Sequence, residues 1–530
     1  MKTEYYDRKK FNTYNRQQIL LSENQSLLKD FIGLPFDENS FEEQIRLKKN
    51  NYSSEFRAIL QNSIRNSYKN IDINDTVSEN INLLGDQNTF TITCGHQLTL
   101  FGGPAYFFYK IIHIISLTKK LNERYKQFRF VPVFWMASED HDKDEITKLN
   151  IFNNHFVWET ESEGPTGNYK LDSNFEKIKS DFIQFFSNSE FDEINDHLNN
   201  FKGANLSEGF ISYLNSIFKD YGLIILEPNS RELKKLFIPI IKKEIEQFQT
   251  FKCVSKSNTE LEEFGFTLQA KIQPINLFYL QDDKRIRIKF ENNLFSVEDN
   301  FFTLDELLKH VENYPERFSP NVFLRPIFQE LILPNIAFIG GPSEINYWLQ
   351  LKKLFQVFTI PFPLIQPRLS VIYVDKSMNK KIKKINFQVY DYFNEDIFYL
   401  KKRYMQQTEE IENLDWNQID SSLENIKNNY LDIYKKNASE IIKTFEAEWN
   451  NIEKSIAKIK NKLEKRIMER HEQEINSLEQ LKNKFLPNNN PQERFYHFFH
   501  FCSQGNLKLV DEMIEVFNPF ENRIMVIYED

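Results

Sequence analysis

Glycine is scarce in this chain, 14 residues in 530, so a cluster of glycines needs a local reason. Cysteine is scarcer. Cys94, Cys253 and Cys502 stand alone with no Cys-x-x-Cys pair, which excludes a disulfide framework and a cysteine zinc site and points to the cytoplasm. No run of 18 apolar residues occurs, so no membrane-spanning segment is expected. The polar start, "MKTEYYDRKKFNTYNRQQ", has no hydrophobic core of a signal peptide. An excess of positive charge is also missing. The net charge of −9 argues against nucleic acid as the partner, and the lysines of "KKIKKINF" (380–387) read as a solvated face. Neither a P-loop nor a dinucleotide fingerprint occurs.

What is present is apolar area, with 41% hydrophobic residues and 50 phenylalanines, spread over a length that predicts two or three structural units. From about 86 to 375, short apolar runs are each followed by a turn and a helical pattern. "NTFTITCGHQ" (88–97), "FRFVPVFWMAS" (128–138), "YGLIILEPNSRELKKLF" (221–237) and "NIAFIGGPSEINYWLQLKKLF" (335–355) share this plan. Strands alternating with helices predict βαβ units, a parallel sheet and an α/β core. The stretches 151–220 and 240–330 fit the plan poorly and read as insertions.

From 416 to 486 there is no glycine and no proline. Apolar residues step by threes and fours through Ile419, Leu423, Ile426, Tyr430 and Ile433, then through Ile441, Phe445, Trp449, Ile452, Ile456, Ile459, Leu463 and Ile467. That is a coiled-coil seam. Asn437 and Glu440 suggest a capping box and a chain reversal, and Pro487 a stop. One helix over 438–486 would be roughly 70 Å long at ~1.5 Å per residue. A projecting antiparallel hairpin with an exposed seam predicts a homodimer.

The candidate site residues come from the ends of the core strands. Gly102-Gly103-Pro104 and Gly340-Gly341-Pro342 each precede a helical pattern, where free N–H groups favour an anion; a plain tight turn is the alternative. His96 and Gln97 follow the first strand, where open parallel sheets bind ligands. Glu139, Asp140, His141 and Asp142 crowd the end of "FRFVPVFWM". Asp-His-Asp could form a general-base arrangement, or Asp142, Asp144 and Glu145 could simply suit the start of a helix. No complete metal-ligand set is visible, and no metal is expected. Arg368, after a proline-rich turn, could clamp a carboxylate or phosphate, or serve the turn. Arg494 reads as a docking residue, and Cys94 as a small buried residue more than as a nucleophile.

Together, "CGHQLTLFGGPAYFFYK" (94–110), "VPVFWMASEDHDKDEI" (131–146), "AFIGGPSEINYW" (337–348), "QPRLS" (366–370) and "FLPNNNPQER" (485–494) resemble the cysteine-adding BshC family of bacillithiol synthesis. The resemblance departs at Cys94, where the family often has threonine. It implies a Rossmann-like core akin to class I aminoacyl-tRNA synthetases and nucleotidyl transferases, two inserted connecting segments and a coiled-coil dimerisation domain. It also implies a ligase that joins cysteine to glucosaminyl-malate by an amide bond, the last step to bacillithiol.

Carried onto this sequence, the resemblance places His96, Gln97, Glu139 to Asp142, both Gly-Gly-Pro turns and Glu344 around one pocket. His141 is then the expected base for the incoming amine, and the turn amides the expected anion cradle. The cofactor is open; ATP or ADP would activate the carboxylate. Another acid-activating enzyme of the nucleotidyl-transferase type, or a non-catalytic coiled-coil scaffold binding a small ligand, remain as alternatives. The expected organisation is a core over 1–375, a connecting segment over 376–415, the hairpin over 416–486 and a returning segment over 487–530.

Overall fold

The structure, a computed structural model, describes residues 1–23, 25–186, 192–281, 283–408, 416–502 and 505–529. Contacts divide the chain into two units. The first holds Met1–Lys10, Tyr14–Tyr373 and Glu493–Ile527, and the second Phe11–Thr13, Val374–Gln492 and Tyr528–Asp530.

The first unit is built on five strands: β1 (Thr89–His96), β2 (Arg129–Met136), β3 (Ile224–Leu226), β4 (Asn335–Gly340) and β5 (Leu364–Pro367). They pair in the order β3-β2-β1-β4-β5, all parallel. Every residue of β1, β3, β4 and β5 is buried, as in a sheet covered on both faces, which is why β3 and β4 read as near-continuous apolar runs, although β1 alternates Thr89, Thr91 and Thr93 with Phe90, Ile92 and Cys94. The strand order reverses between β1 and β4. In sheets of this kind the crevice for a ligand opens there, beyond the carboxyl ends of the strands.

Helix α1 (Tyr106–Arg124) follows β1, and α3 (Pro342–Trp348) follows β4. Between β3 and β4 lie α2 (Arg231–Gln247) and a small antiparallel sheet of strands Leu277–Gln281, Lys284–Arg287 and Phe318–Pro320. The long connection between β2 and β3 carries a short hairpin, Lys148–Ile151 with Asn154–Val157, and the helices Ser173–Phe185, Asp192–Asn199 and Leu206–Phe218.

The second unit contains α4 (Trp416–Asn437), α5 (Ile442–Arg470) and α6 (Glu472–Phe485). Helices α4 and α5 pair through Tyr430, Tyr434, Phe445 and Trp449, and Lys427 meets Glu453 at 2.8 Å. The reversal lies where the sequence places it, but not by the expected capping box. Asn437 turns its amide back to the Ile433 carbonyl, and a short turn, Ser439–Ile441, leads into α5. The expected single helix over 438–486 is also interrupted, because His471 leaves helical geometry between α5 and α6. After α6, Pro487 opens a short 3-10 turn. Part of the expected connecting segment, 409–415, lies outside the described residues.

Candidate active site

A cavity of about 710 Å³ opens at the carboxyl ends of β1, β2 and β4. Its lining includes Gly95, His96 and Gln97 after β1, Glu139 and Asp140 after β2, Gly341 and Glu344 after β4, and Arg368 after β5. Loops distant in sequence thus converge where the strand order reverses.

His96 is buried. Its Nδ1 lies 3.0 Å from the Gln97 carbonyl oxygen, which can only accept, so Nδ1 carries the proton. Nε2 then holds a lone pair, 3.1 Å from the Tyr106 hydroxyl. Burial first, and then the Lys110 ammonium, push the imidazole pKa down to about 3, so the ring is neutral at physiological pH. Gln97 donates to Asp140 Oδ2 at 2.8 Å, tying the end of β1 to the loop after β2. Glu139 meets Lys234 of α2 at 2.5 Å.

The loop after β2 separates its four charged residues by a turn closed from Asp140 N to the Ala137 carbonyl. Glu139 and Asp140 face the cavity. His141 does not: it lies half-exposed in a separate shallow recess, where Arg285 donates to its Nδ1 at 3.2 Å. Asp142 accepts from Glu145 N at 3.2 Å and caps the short helix Lys143–Ile146. The geometry therefore brings neither His141 nor Asp142 to the cavity, and Asp142 has the helix-start role weighed as its alternative.

The two Gly-Gly-Pro turns also part company. Gly102 and Gly103 have positive φ, 89° and 56°, and a Cβ on Gly103 would fall 2.7 Å from Thr99 Oγ1. Their amides bond to the Thr99 and Leu100 carbonyls, and the next amide, Ala105 N, donates to the Tyr496 carbonyl. Neither glycine N–H nor Ala105 N is left to hold an anion, so the turn itself packs against the returning chain. In the second turn, Gly340 stays in the sheet, where a Cβ would press on Phe338 and Ile345 at 2.9 Å. Gly341 faces the cavity, but its N–H already donates to Glu344 Oε2 at 2.6 Å.

That carboxylate also takes the Lys110 ammonium at 2.7 Å, and Lys110 donates further to the Gly95 carbonyl at 2.9 Å. Burial alone would raise the Glu344 pKa; Lys110 reverses this and leaves it below the usual carboxylate range. Arg368 is buried in a bidentate pair with Glu493, at 2.8 and 3.0 Å, and its guanidinium lies 4.8 Å from the Tyr106 ring centre. Cys94 is buried in β1, and burial pushes its thiol pKa up, away from thiolate chemistry.

Sequence reasoning missed Tyr106, Lys110 and Arg285. For the first two a signal existed. Tyr106 and Lys110 are four apart, hence on one face of α1, and a lysine inside "AYFFYKIIHII" is out of place in an otherwise apolar helix. Arg285, whose guanidinium stacks 4.1 Å over the Phe278 ring and bonds to Ser319 Oγ and the Pro320 carbonyl, comes from the connection before β4 and has no sequence signal. Lys271, Arg287 and Arg494 line the cavity without an ion-pair partner among the described residues. With seven cationic side chains against four carboxylates, the lining is positive although the chain is acidic, which suits anionic ligands. Among the described residues no group of three or more His, Cys, Asp or Glu is placed to hold one metal ion.

Residues 1–369 match the family model described as the N-terminal Rossmann-like domain of bacillithiol biosynthesis BshC, and residues 371–529 match its C-terminal coiled-coil domain. A protein of Flavobacterium johnsoniae is 35% identical over 525 residues, covering 96% of each chain. One from Flavobacterium psychrophilum is 32% identical over 501 residues, 92% of each chain. One from Bacillus cytotoxicus is 27% identical over 481 residues, 86% of this chain and 88% of its own. All three carry the provisional name cysteine ligase BshC.

Proposed function

Because the chain belongs to the BshC family of bacillithiol biosynthesis, we propose that it is a ligase joining the cysteine carboxyl to the amine of glucosaminyl-malate, with the cavity at the β1/β4 crevice as its active site. The observation that carries the site is the convergence of His96, Asp140, Glu344 and Arg368 on one positive cavity. Both substrates bring carboxylates, which such a lining attracts.

Amide formation from a free carboxylate is uphill in water, so one carboxyl oxygen must leave with a better leaving group. A nucleotide supplies that group by phosphoryl or nucleotidyl transfer, and Lys271, Arg287 and Arg494, without an ion pair among the described residues, are able to hold its phosphates. The amine must then attack as the free base, and the new C–N bond sheds a proton. His96 Nε2, unprotonated and 3.1 Å from the Tyr106 hydroxyl, is the base we assign, in place of His141. Asp140 and Gln97 hold the loop that shapes the wall beside it. The three cysteines remain free thiols in the reducing cytoplasm, where we place the protein. The exposed seam of α4 and α5 is its homodimer contact.

The test is direct. Purified protein incubated with glucosaminyl-malate, cysteine and ATP should yield a product heavier by one cysteinyl residue in mass spectrometry. Folded protein that makes no such product with any nucleoside triphosphate would sink the assignment.

A further inference from the structure

The neutral imidazole of His96 has a single acceptor site, and that site is taken. Nδ1 donates to the Gln97 carbonyl, and the Nε2 lone pair receives the Tyr106 hydroxyl at 3.1 Å. Both residues line the cavity, so a ligand proton on its way to the imidazole meets the Tyr106 oxygen first. That oxygen keeps its acceptor capacity, because donating to Nε2 uses the hydroxyl proton and not the lone pairs. No other group among the described residues donates to it.

Tyr106 is firmly placed. It is the first residue of α1, directly after the Gly102-Gly103-Pro104 turn, and Ala105 before it donates its N–H to the Tyr496 carbonyl at 2.8 Å. The Arg368 guanidinium lies 4.8 Å from the tyrosine ring centre, within cation–π range, and is itself fixed by its bidentate pair with Glu493. The first Gly-Gly-Pro turn thus sets where this hydroxyl meets the cavity. Burial first, and then the Glu145 carboxylate, raise the phenol pKa to about 12, so the hydroxyl keeps its proton at physiological pH and stays a donor to Nε2.

We propose that Tyr106 is a catalytic residue, a proton relay between the substrate amine and His96. As the amine nitrogen bonds to the activated carboxyl carbon, the C–O bond to the phosphate group breaks and that oxygen leaves with the electron pair. The nitrogen gives its surplus proton to the Tyr106 oxygen, and the tyrosine's own proton passes to His96 Nε2. Tyrosine and amide end neutral, and the imidazole ends protonated. A proton on a nascent amide nitrogen is far more acidic than an imidazolium, so a weakly basic His96 suffices to take it. Burial and Lys110, which oppose a charged imidazole, then return the proton along the same path to the departed phosphate. The inference rests on the ligase reading, since it assigns a step of that reaction.

Tyr106→Phe tests it by removing the hydroxyl while keeping the ring beside Arg368. With cysteine, glucosaminyl-malate and ATP, the variant should lose ~10²-fold or more in kcat, with KM for each substrate changed no more than about threefold. Adding His96→Gln should cost no more than the worse single variant, because the two groups act in series. Single-turnover rates of the parent in mixtures of light and heavy water need no variant and report what a purely structural hydroxyl would not move. Two protons in flight give a curved dependence on deuterium fraction, whereas one gives a straight line. A straight line, a rate indifferent to deuterium, or a Tyr106→Phe variant as fast as the parent overturns the relay alone. A folded parent that makes no product overturns the ligase reading and the relay together.

Discussion

The Lys110 ammonium meets the Glu344 carboxylate at 2.7 Å, and the pair joins the end of β1 to the start of α3 across the reversal in strand order. Lys110 is 2% exposed and Glu344 25% exposed. Removing the cation leaves a mostly buried carboxylate without its counter-charge and the Gly95 carbonyl without the Lys110 donor. Lys110→Met should therefore cost roughly 2–3 kcal/mol, less than the ~3–5 kcal/mol of a fully buried pair because Glu344 keeps some water. Glu344→Gln still accepts from Gly341 N but leaves the more deeply buried Lys110 ammonium without a counter-charge, and should cost at least as much. Urea unfolding monitored by tryptophan fluorescence measures both, and a much smaller cost for Glu344→Gln would contradict that role of the carboxylate.

The position of the two histidines gives a second expectation. His96 lines the cavity with Nε2 unprotonated, whereas His141 sits outside it against Arg285. Removing a general base costs typically ~10²–10⁴ in rate. His96→Gln should lower turnover by that amount while shifting the unfolding midpoint little. His141→Ala should change turnover by no more than about twofold, since it removes no group from the cavity. Steady-state kinetics on both variants decides between them; a large loss confined to His141→Ala reverses the assignment.

Why one histidine was legible and the other misleading is a matter of range. The strands announce themselves locally: "FVPVFWM" and "IAFI" are continuous apolar runs because both faces of the parallel sheet are covered. That placed His96 and Gly341 at the carboxyl edge. Which side of a loop a residue faces is decided by a single turn, here the bond from Asp140 N to the Ala137 carbonyl, and no local pattern marks it. The two Gly-Gly-Pro turns are alike as strings, yet the first is fixed by Tyr496 and His497, far along the chain. Arg285 likewise arrives from a separate sheet. The hairpin was legible from its apolar spacing, but the break at His471 was not, because histidine is an ordinary helix residue.

Three buried histidines tie stability to pH. His96 and His113 are pushed down to about 3 and His497 to about 4, each chiefly by burial. Their ordinary value is near 6.5, so the unfolded chain takes up protons first as pH falls. The stability they leave intact above about pH 6.5 is lost progressively as pH drops toward 3–4. By pH 5.0 each contributes a loss of about 2 kcal/mol. His497→Gln, able to keep the donor to the Phe101 carbonyl, should narrow the difference in unfolding free energy between pH 7.5 and pH 5.0 by that amount. A gap unchanged from the parent would show that acid sensitivity arises elsewhere.

The last expectation concerns the second unit. Phe445 and Trp449 are buried between α4 and α5, so the hairpin has an internal contact of its own. Ile419, Ile426 and Ile433 on α4 recur every seven residues, and Ile452 and Ile459 continue the same interval on α5, followed by Leu463. All six are left exposed, Ile459 to 67%, where a coiled-coil seam would be covered. Apolar residues in heptad register gain by facing a second helix pair, and a second copy of the chain offers the same surface in return. Replacing Ile452, Ile459 and Leu463 together by lysine sets like charges across such a contact and touches neither Phe445 nor Trp449. The parent should sediment as a dimer and the variant as a monomer with unchanged helix content by circular dichroism. A variant that sediments with the parent would place the dimer contact on another surface, and a monomeric parent would remove it altogether.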